Sequence, residues 1–320
     1  MAERDHSTPN QQGREAAEPQ QIPPRGWKQV LRRSWHELSD NNIFLVAGGV
    51  TYAILLALFP GLAALVSIYG LVFNPSQIEQ QMNLLDSILP QQTRDLIRQQ
   101  LHALVTAPHG ALGLTAIVSL LLGLWSASRG MSGLITAMNI AYEEKETRSF
   151  IRFNLLALGL TLGAIVAGVV VIALIGVLPT VVQFLGLGIF AKWLLLVLEW
   201  PLLLAILLVA MAVLYHYGAN RDDPQWRWVA PGTITGAVLW ILGSIAFSVY
   251  VSHFNSYNAT YGSLGGAVVL LTWLYLSSFV LLLGAVINAQ SERQTRVDTT
   301  EGQPRPMGQR NARAADTLGS

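Results

Sequence analysis

Six stretches of the chain are long and apolar enough to cross a lipid bilayer, and no other feature narrows the possible folds so far. They run from Ile43 to Phe73, Leu112 to Asn139, Asn154 to Val182, Trp193 to Tyr217, Val229 to Val251 and Ser263 to Asn288. A spanning helix needs about 20 such residues, and it must satisfy every backbone N–H and C=O internally because the hydrocarbon offers no water. Composition agrees: of 320 residues 52% are hydrophobic and only 12% charged, against roughly 25% charged in soluble domains. The expected fold is all-α, a polytopic membrane bundle of six transmembrane helices. The first stretch is over-long and contains Pro60, so a kink or a protruding end is expected there.

The flanks differ in kind. Residues 1–26 are polar, with Gln, Glu and Pro and without the apolar core of a secretory signal. Residues 291–320 are similar, rich in Thr, Gln and scattered Arg. Both read as disordered cytoplasmic tails around one membrane domain at 27–290. With the N-terminus inside, 16 Lys and Arg fall in inner segments, whereas outer segments hold Arg94, Arg98 and Lys192. That asymmetry places both termini in the cytoplasm.

Two amphipathic regions accompany the spans. From Trp27 to Asp40, Trp27, Val30, Leu31, Trp35 and Leu38 share a face while Lys28, Arg32, Arg33 and His36 lie elsewhere. This pattern suits a helix lying in the inner interface; the alternative is a solvent-covered start of the first span. In the external loop at 74–110, Ser76 to Glu79 form a capping-box pattern, and apolar residues repeat at helical spacing on both sides of Pro90. An external helical hairpin follows, as a static plug or as a lid.

Several chemistries are excluded or disfavoured. The chain lacks cysteine, so disulfides, thiol catalysis and cysteine-bound zinc cannot occur. A net charge of +1 gives no basic field for nucleic acid. The six histidines are scattered without metal-ligand spacing, and no Gly-rich phosphate loop precedes a Lys. No cofactor and no catalytic residue are expected. The expected partners are the lipid bilayer and a solute.

Polar groups inside the spans carry more information, since a charge near the bilayer centre costs about 2.5–3.5 kcal/mol even on insertion scales. Arg129 and Glu199 are those charges. Trp125, Arg129, Ser132, Thr136 and Asn139 advance by four, three, four and three and so share one helical face. Such a face suits an aqueous cavity that contacts an anion, or an arginine that snorkels to the boundary. Glu199 and Arg129 lie at depths that differ by roughly 15 Å at a helical rise, which argues against a direct ion pair; Glu199 is a possible titrating acid or an interface residue. Small residues at four-residue spacing, Gly159 and Gly163, Gly232 and Gly236, Gly262 and Gly266, point to close helix packing.

Tyr52 to Pro60, Trp125 to Gly130 with Asn139 and Tyr142, Pro231-Gly232 with Trp240, Tyr261 to Gly266, and Trp273 to Leu276 with Gly284-Ala285 together resemble the YihY/BrkB family. The resemblance covers about Trp27 to Gln290. It implies a six-span protein of the bacterial inner membrane whose activity is poorly defined, carried under virulence-factor and ribonuclease BN labels. A ribonuclease needs an activated water or nucleophile and charge stabilisation at phosphate, and the chain shows no cluster of acids or histidines with that capacity. Where the family usually has acids late in the last span, this chain has Val286 and Gln290. The residues expected to line a polar cavity are Tyr52, Trp125, Arg129, Ser132, Thr136, Asn139, Tyr261, Tyr275 and Asn288. The functions in view are a transporter or flippase for an amphipathic or anionic envelope-related solute, and a non-transporting scaffold of envelope assembly.

Overall fold

A computed structural model describes residues 12–72, 112–177, 189–252 and 263–319. The expected external hairpin at 74–110 and Tyr261 lie outside the described residues. Helices dominate: α1 (Pro24–Asp40), α2 (Ile43–Val72), α3 (Leu112–Ala141), α4 (Phe150–Ile172), α5 (Ile189–Tyr217), α6 (Trp226–Ser252), α7 (Ser263–Glu292) and the short α8 (Arg313–Asp316). The protein is an all-α polytopic membrane bundle. Among the described residues four segments are long and apolar enough to cross a membrane, Phe150–Ile175, Val197–Tyr217, Trp226–Ser252 and Gly265–Glu292, and α1 with the first part of α2 passes the same test as a pair bent by 66°. Helix α2 continues through Pro60.

Local sequence sets the boundaries. Pro24 opens α1, where its missing N–H is no loss, and Asn42 ends the turn with a left-handed φ of 50°, a conformation asparagine tolerates. The Ser149 hydroxyl caps α4 by accepting the Arg152 N–H. Helix α4 then passes into a π-helical turn at Ala173–Val177.

Helix α7 is the hub, packing on α1, α2, α3 and α6, while α2 lies along α3. The core gathers Ile43 and Ala47 from α2, Met138 from α3, Tyr215 from α5 and Leu282 and Ala285 from α7. Gly232 carries the α6–α7 crossing, because a Cβ there would overlap the Gly284 carbonyl and the Asn288 amide, and Gly236 lies tightly against Met211. Gly159, Gly163 and Gly266 have nothing within 4 Å of such a Cβ, so close packing explains only part of the glycine spacing. Gly130 and Gly133 supply an unanticipated approach, onto Ala57 and Ala53 of α2.

Helix α1 packs on the bundle through a stripe that shares Val30 and Leu38 with its apolar face. Gly26, Val30, Ser34 and Leu38 are buried, whereas Leu31 and Trp35 stay 55% and 70% exposed. Its packing on α7 selects a stripe one position away from the purely apolar one.

Over the described residues 12–26 and 291–319, the segments expected to be disordered are folded. Past α7, Gln294, Thr295, Asp298, Thr299, Ala312, Ala314 and Ala315 are buried, and the Arg296 and Gly319 N–H groups donate to the Arg14 and Arg293 carbonyls. Arg310 is the reason a polar segment folds: its guanidinium donates to the carbonyls of Arg296, Val297, Arg305 and Ala315. Gly13, Ala16 and Ile22 join from the N-terminal side, with Ala16 and Ile22 packed on Trp228. Residues 12–22 and 293–319 thus form one cap at a single end of the bundle, hereafter the terminal face.

Candidate functional site

The polar stripe of α3 divides along its length. Towards mid-helix Arg129 is exposed, with its guanidinium carbon 4.4 Å from the Trp125 ring centroid, a cation–π contact. It forms no ion pair with Glu199, which is half-buried on α5 between the exposed Leu198 and Trp200. Ser132 and Thr136 donate back to the carbonyls of Ser128 and Ser132, so their hydroxyls are satisfied within the helix. Tyr52 of α2 is exposed, and Tyr275 of α7 donates to the Phe44 carbonyl at 3.3 Å.

Asn139 and Asn288 are instead buried in the terminal face, where they join elements. Asn139 accepts the Asn220 N–H at 2.6 Å and donates to Glu146 at 2.8 Å; Arg148 reaches the Gly218 carbonyl. These bonds knit the α3–α4 turn to the α5–α6 turn. Asn288 accepts the Gly232 N–H at 2.6 Å, next to Pro231, whose ring disturbs the backbone ladder of α6. Of the eight described among the nine residues expected to line a cavity, Trp125, Arg129 and Thr136 are exposed on α3, while Asn139 and Asn288 are buried and hydrogen-bonded between elements.

The charged groups that organise this face came from segments read as solvated. Arg221 and Glu292 make two parallel bonds of 2.9 Å, with side chains 1% and 0% exposed. The Thr299 hydroxyl adds a bond to Glu292, and the Tyr142 ring lies 4.2 Å from Arg221. His216 is buried against Trp226, ring centroids 4.1 Å apart. The available signal was the helical phase of α7, which continues from Asn288 through Glu292.

The sequence profile of the family described as Virulence factor BrkB matches residues 34–309. The chain belongs to the BrkB family. Among relatives of this BrkB protein, a ribonuclease-like protein of Bacillus subtilis (strain 168), YfkH, is 30% identical over 78% of the chain and 90% of its own length. A UPF0761 membrane protein of Pseudoalteromonas translucida (strain TAC 125) is 27% identical over 87% of the chain and 89% of its own length. Another, from Idiomarina loihiensis, is 26% identical over 82% and 90%. No solved structure matches.

The terminal face of the BrkB protein also contains a cleft of about 230 Å³ lined by Arg33, Glu37, Glu143, Gln290, Arg293 and Arg313, closed on one side by Thr317 to Gly319. Glu143 bridges Arg293 at 2.7 Å and Arg313 at 2.9 Å. Glu37 takes longer contacts from Gln290 and Arg293, at 3.2 and 3.4 Å. Burial, then the neighbouring Glu143, raises the Glu37 carboxyl above its ordinary range despite Arg293. Among the described residues no group of three or more His, Asp or Glu is placed to hold a metal ion.

Proposed function

We propose that this protein moves an amphipathic or anionic envelope-related solute across a bacterial inner membrane, as a transporter or flippase, through a bundle of six crossings with both termini cytoplasmic. The observation that carries this reading is Arg129. It stands 12 residues from the end of α3, about 18 Å at a helical rise, and so deep within a spanning segment. It is exposed there, with Trp125 as its contact and no carboxylate partner among the described residues. An intramembrane cation of that kind is a functional group by default, because its burial in lipid is costly and a passing anion or a water-filled groove offsets the cost. Glu199 is the acid left within the described spans, since Val286 and Gln290 are neutral and buried in α7.

The test is a reconstituted assay of fluorescent anionic-lipid movement in proteoliposomes. Arg129→Ala should abolish facilitated movement and Arg129→Lys should restore part of it, at equal amounts of folded protein. Movement unchanged by Arg129→Ala would remove this residue from the mechanism.

The scaffold reading keeps one specific support: the terminal face is locked by the buried Arg221–Glu292 pair, an arrangement that suits a fixed platform for other envelope proteins. The ribonuclease-like name of one relative does not extend to this chain in our reading, which takes it as a membrane protein without catalytic residues or cofactor.

A further inference from the structure

The terminal-face cleft holds more positive charge than its own residues neutralise. Arg293 pairs with Glu37 and Glu143, and Arg313 with Glu143. Arg33 has only neutral acceptors among the described residues: the Gln290 side chain and carbonyl at 3.0 and 3.1 Å, and the Gln294 side chain at 2.6 Å. Arg14 behind it is likewise held by neutral oxygens, those of Gln12, Arg293 and Gly319. Three guanidiniums, those of Arg33, Arg293 and Arg313, therefore line the cleft with two carboxylates, Glu37 and Glu143, an excess of one positive charge among the described lining residues, to which Arg14 adds from behind. The crowding is felt: burial first, then the charges of Arg14 and Arg293, push Arg33 down to about 10. The Arg293 Nε is buried without a hydrogen-bond partner, although its residue lines the cleft.

We propose that this cleft is a binding site for a phosphate-class oxyanion, held by Arg33 and Arg293 at its wall and by the half-exposed Arg313 at its mouth. Guanidinium forks match phosphate oxygens two at a time, and such charge-assisted bonds are roughly twice as strong as neutral ones. The anion joins α1, the end of α7 and α8, and so fastens the cap to the bundle. Free phosphate and the headgroup of phosphatidic acid offer the same chemistry here. The site is separate from the Arg129 reading and does not depend on it.

The test uses the full chain, purified in detergent, titrated with inorganic phosphate at constant ionic strength set with chloride, and followed by thermal unfolding. A second arm compares nanodiscs of phosphatidylcholine alone with nanodiscs containing phosphatidic acid. Phosphate, phosphatidic acid or both should raise the unfolding temperature of the wild type. Arg313→Gln should weaken the dependence about tenfold in apparent Kd, and Arg33→Gln should do the same. Arg313 is 56% exposed in its side chain, so its variant folds even if Arg33→Gln does not. A response to phosphatidic acid alone assigns the occupant to the lipid, and a response to phosphate alone assigns it to solution. Absence of both responses, or responses that survive Arg313→Gln, would overturn the site.

Discussion

Arg221 and Glu292, 71 residues apart in sequence, meet through two bonds of 2.9 Å in a place solvent does not reach. Removing one member strands the other as a bare buried charge, which costs about 3–5 kcal/mol. Arg221→Ala or Glu292→Ala should therefore lower stability against denaturant strongly, whereas the double variant Arg221→Met, Glu292→Leu should recover much of the loss, because desolvation of the pair then disappears with it. Unfolding in micelles with intrinsic tryptophan fluorescence measures all three.

The glycines of α6 and α4 should respond in opposite ways. Gly232→Ala drives a methyl into the Gly284 carbonyl and Asn288, and overpacking of this kind costs about 1–3 kcal/mol. Gly159→Ala meets open space and, in a helix interior, should be neutral or stabilising by up to about 1 kcal/mol. Thermal melting of the two variants side by side decides this; equal effects would contradict the α6–α7 crossing.

The span pattern and the polar stripe were legible in the sequence because they are periodic: bilayer thickness sets the length of an apolar run, and helical pitch puts Trp125 and Arg129 on one face. The terminal cap was not. Arg310, Asp298 and Glu292 are the residue types that normally stay in water, and composition cannot tell an arginine that waits for solvent from one that four carbonyls will receive. Asn139 and Asn288 were found as polar positions, but their partners, the N–H groups of Asn220 and Gly232, belong to distant turns that no local pattern announces. Tyr52 was placed by resemblance and is exposed on α2.

Asp298 gives the cap an acid limit. Burial would raise its carboxyl, but the N–H groups of Arg305 and Thr300, the Thr300 hydroxyl and the nearby Arg310 outweigh it and hold the group below its ordinary 3.8. A carboxyl depressed on folding contributes stability that is complete above its unfolded pKa and is lost as pH falls through the lower folded value. Protection of the amides at residues 299–310, taken relative to the unstructured exchange rate at each pH, should therefore fall once pH drops below 3.8. Asp298→Asn should lower that protection already at neutral pH and remove Asp298's contribution to its acid-dependent loss.

Topology can be read chemically on a chain that has no cysteine of its own. A cysteine replacing the exposed Gln303 should resist an impermeant maleimide in intact cells and react after lysis, while one replacing Gln92 should react in intact cells. The reverse pattern would invert the orientation proposed from the distribution of Lys and Arg.

The bond from Arg14 to the Gly319 carbonyl, 2.7 Å long, joins residues 305 positions apart. It cannot form before Gly319 has been synthesised, and neither can the Arg293–Gly319 and Arg14–Arg296 backbone bonds precede α7. Arg14 thus waits through the synthesis of every described membrane helix for residues 293–319. A chain cut short within residues 293–319 would leave Arg14 without its Gly319 partner while the membrane helices themselves are already in place.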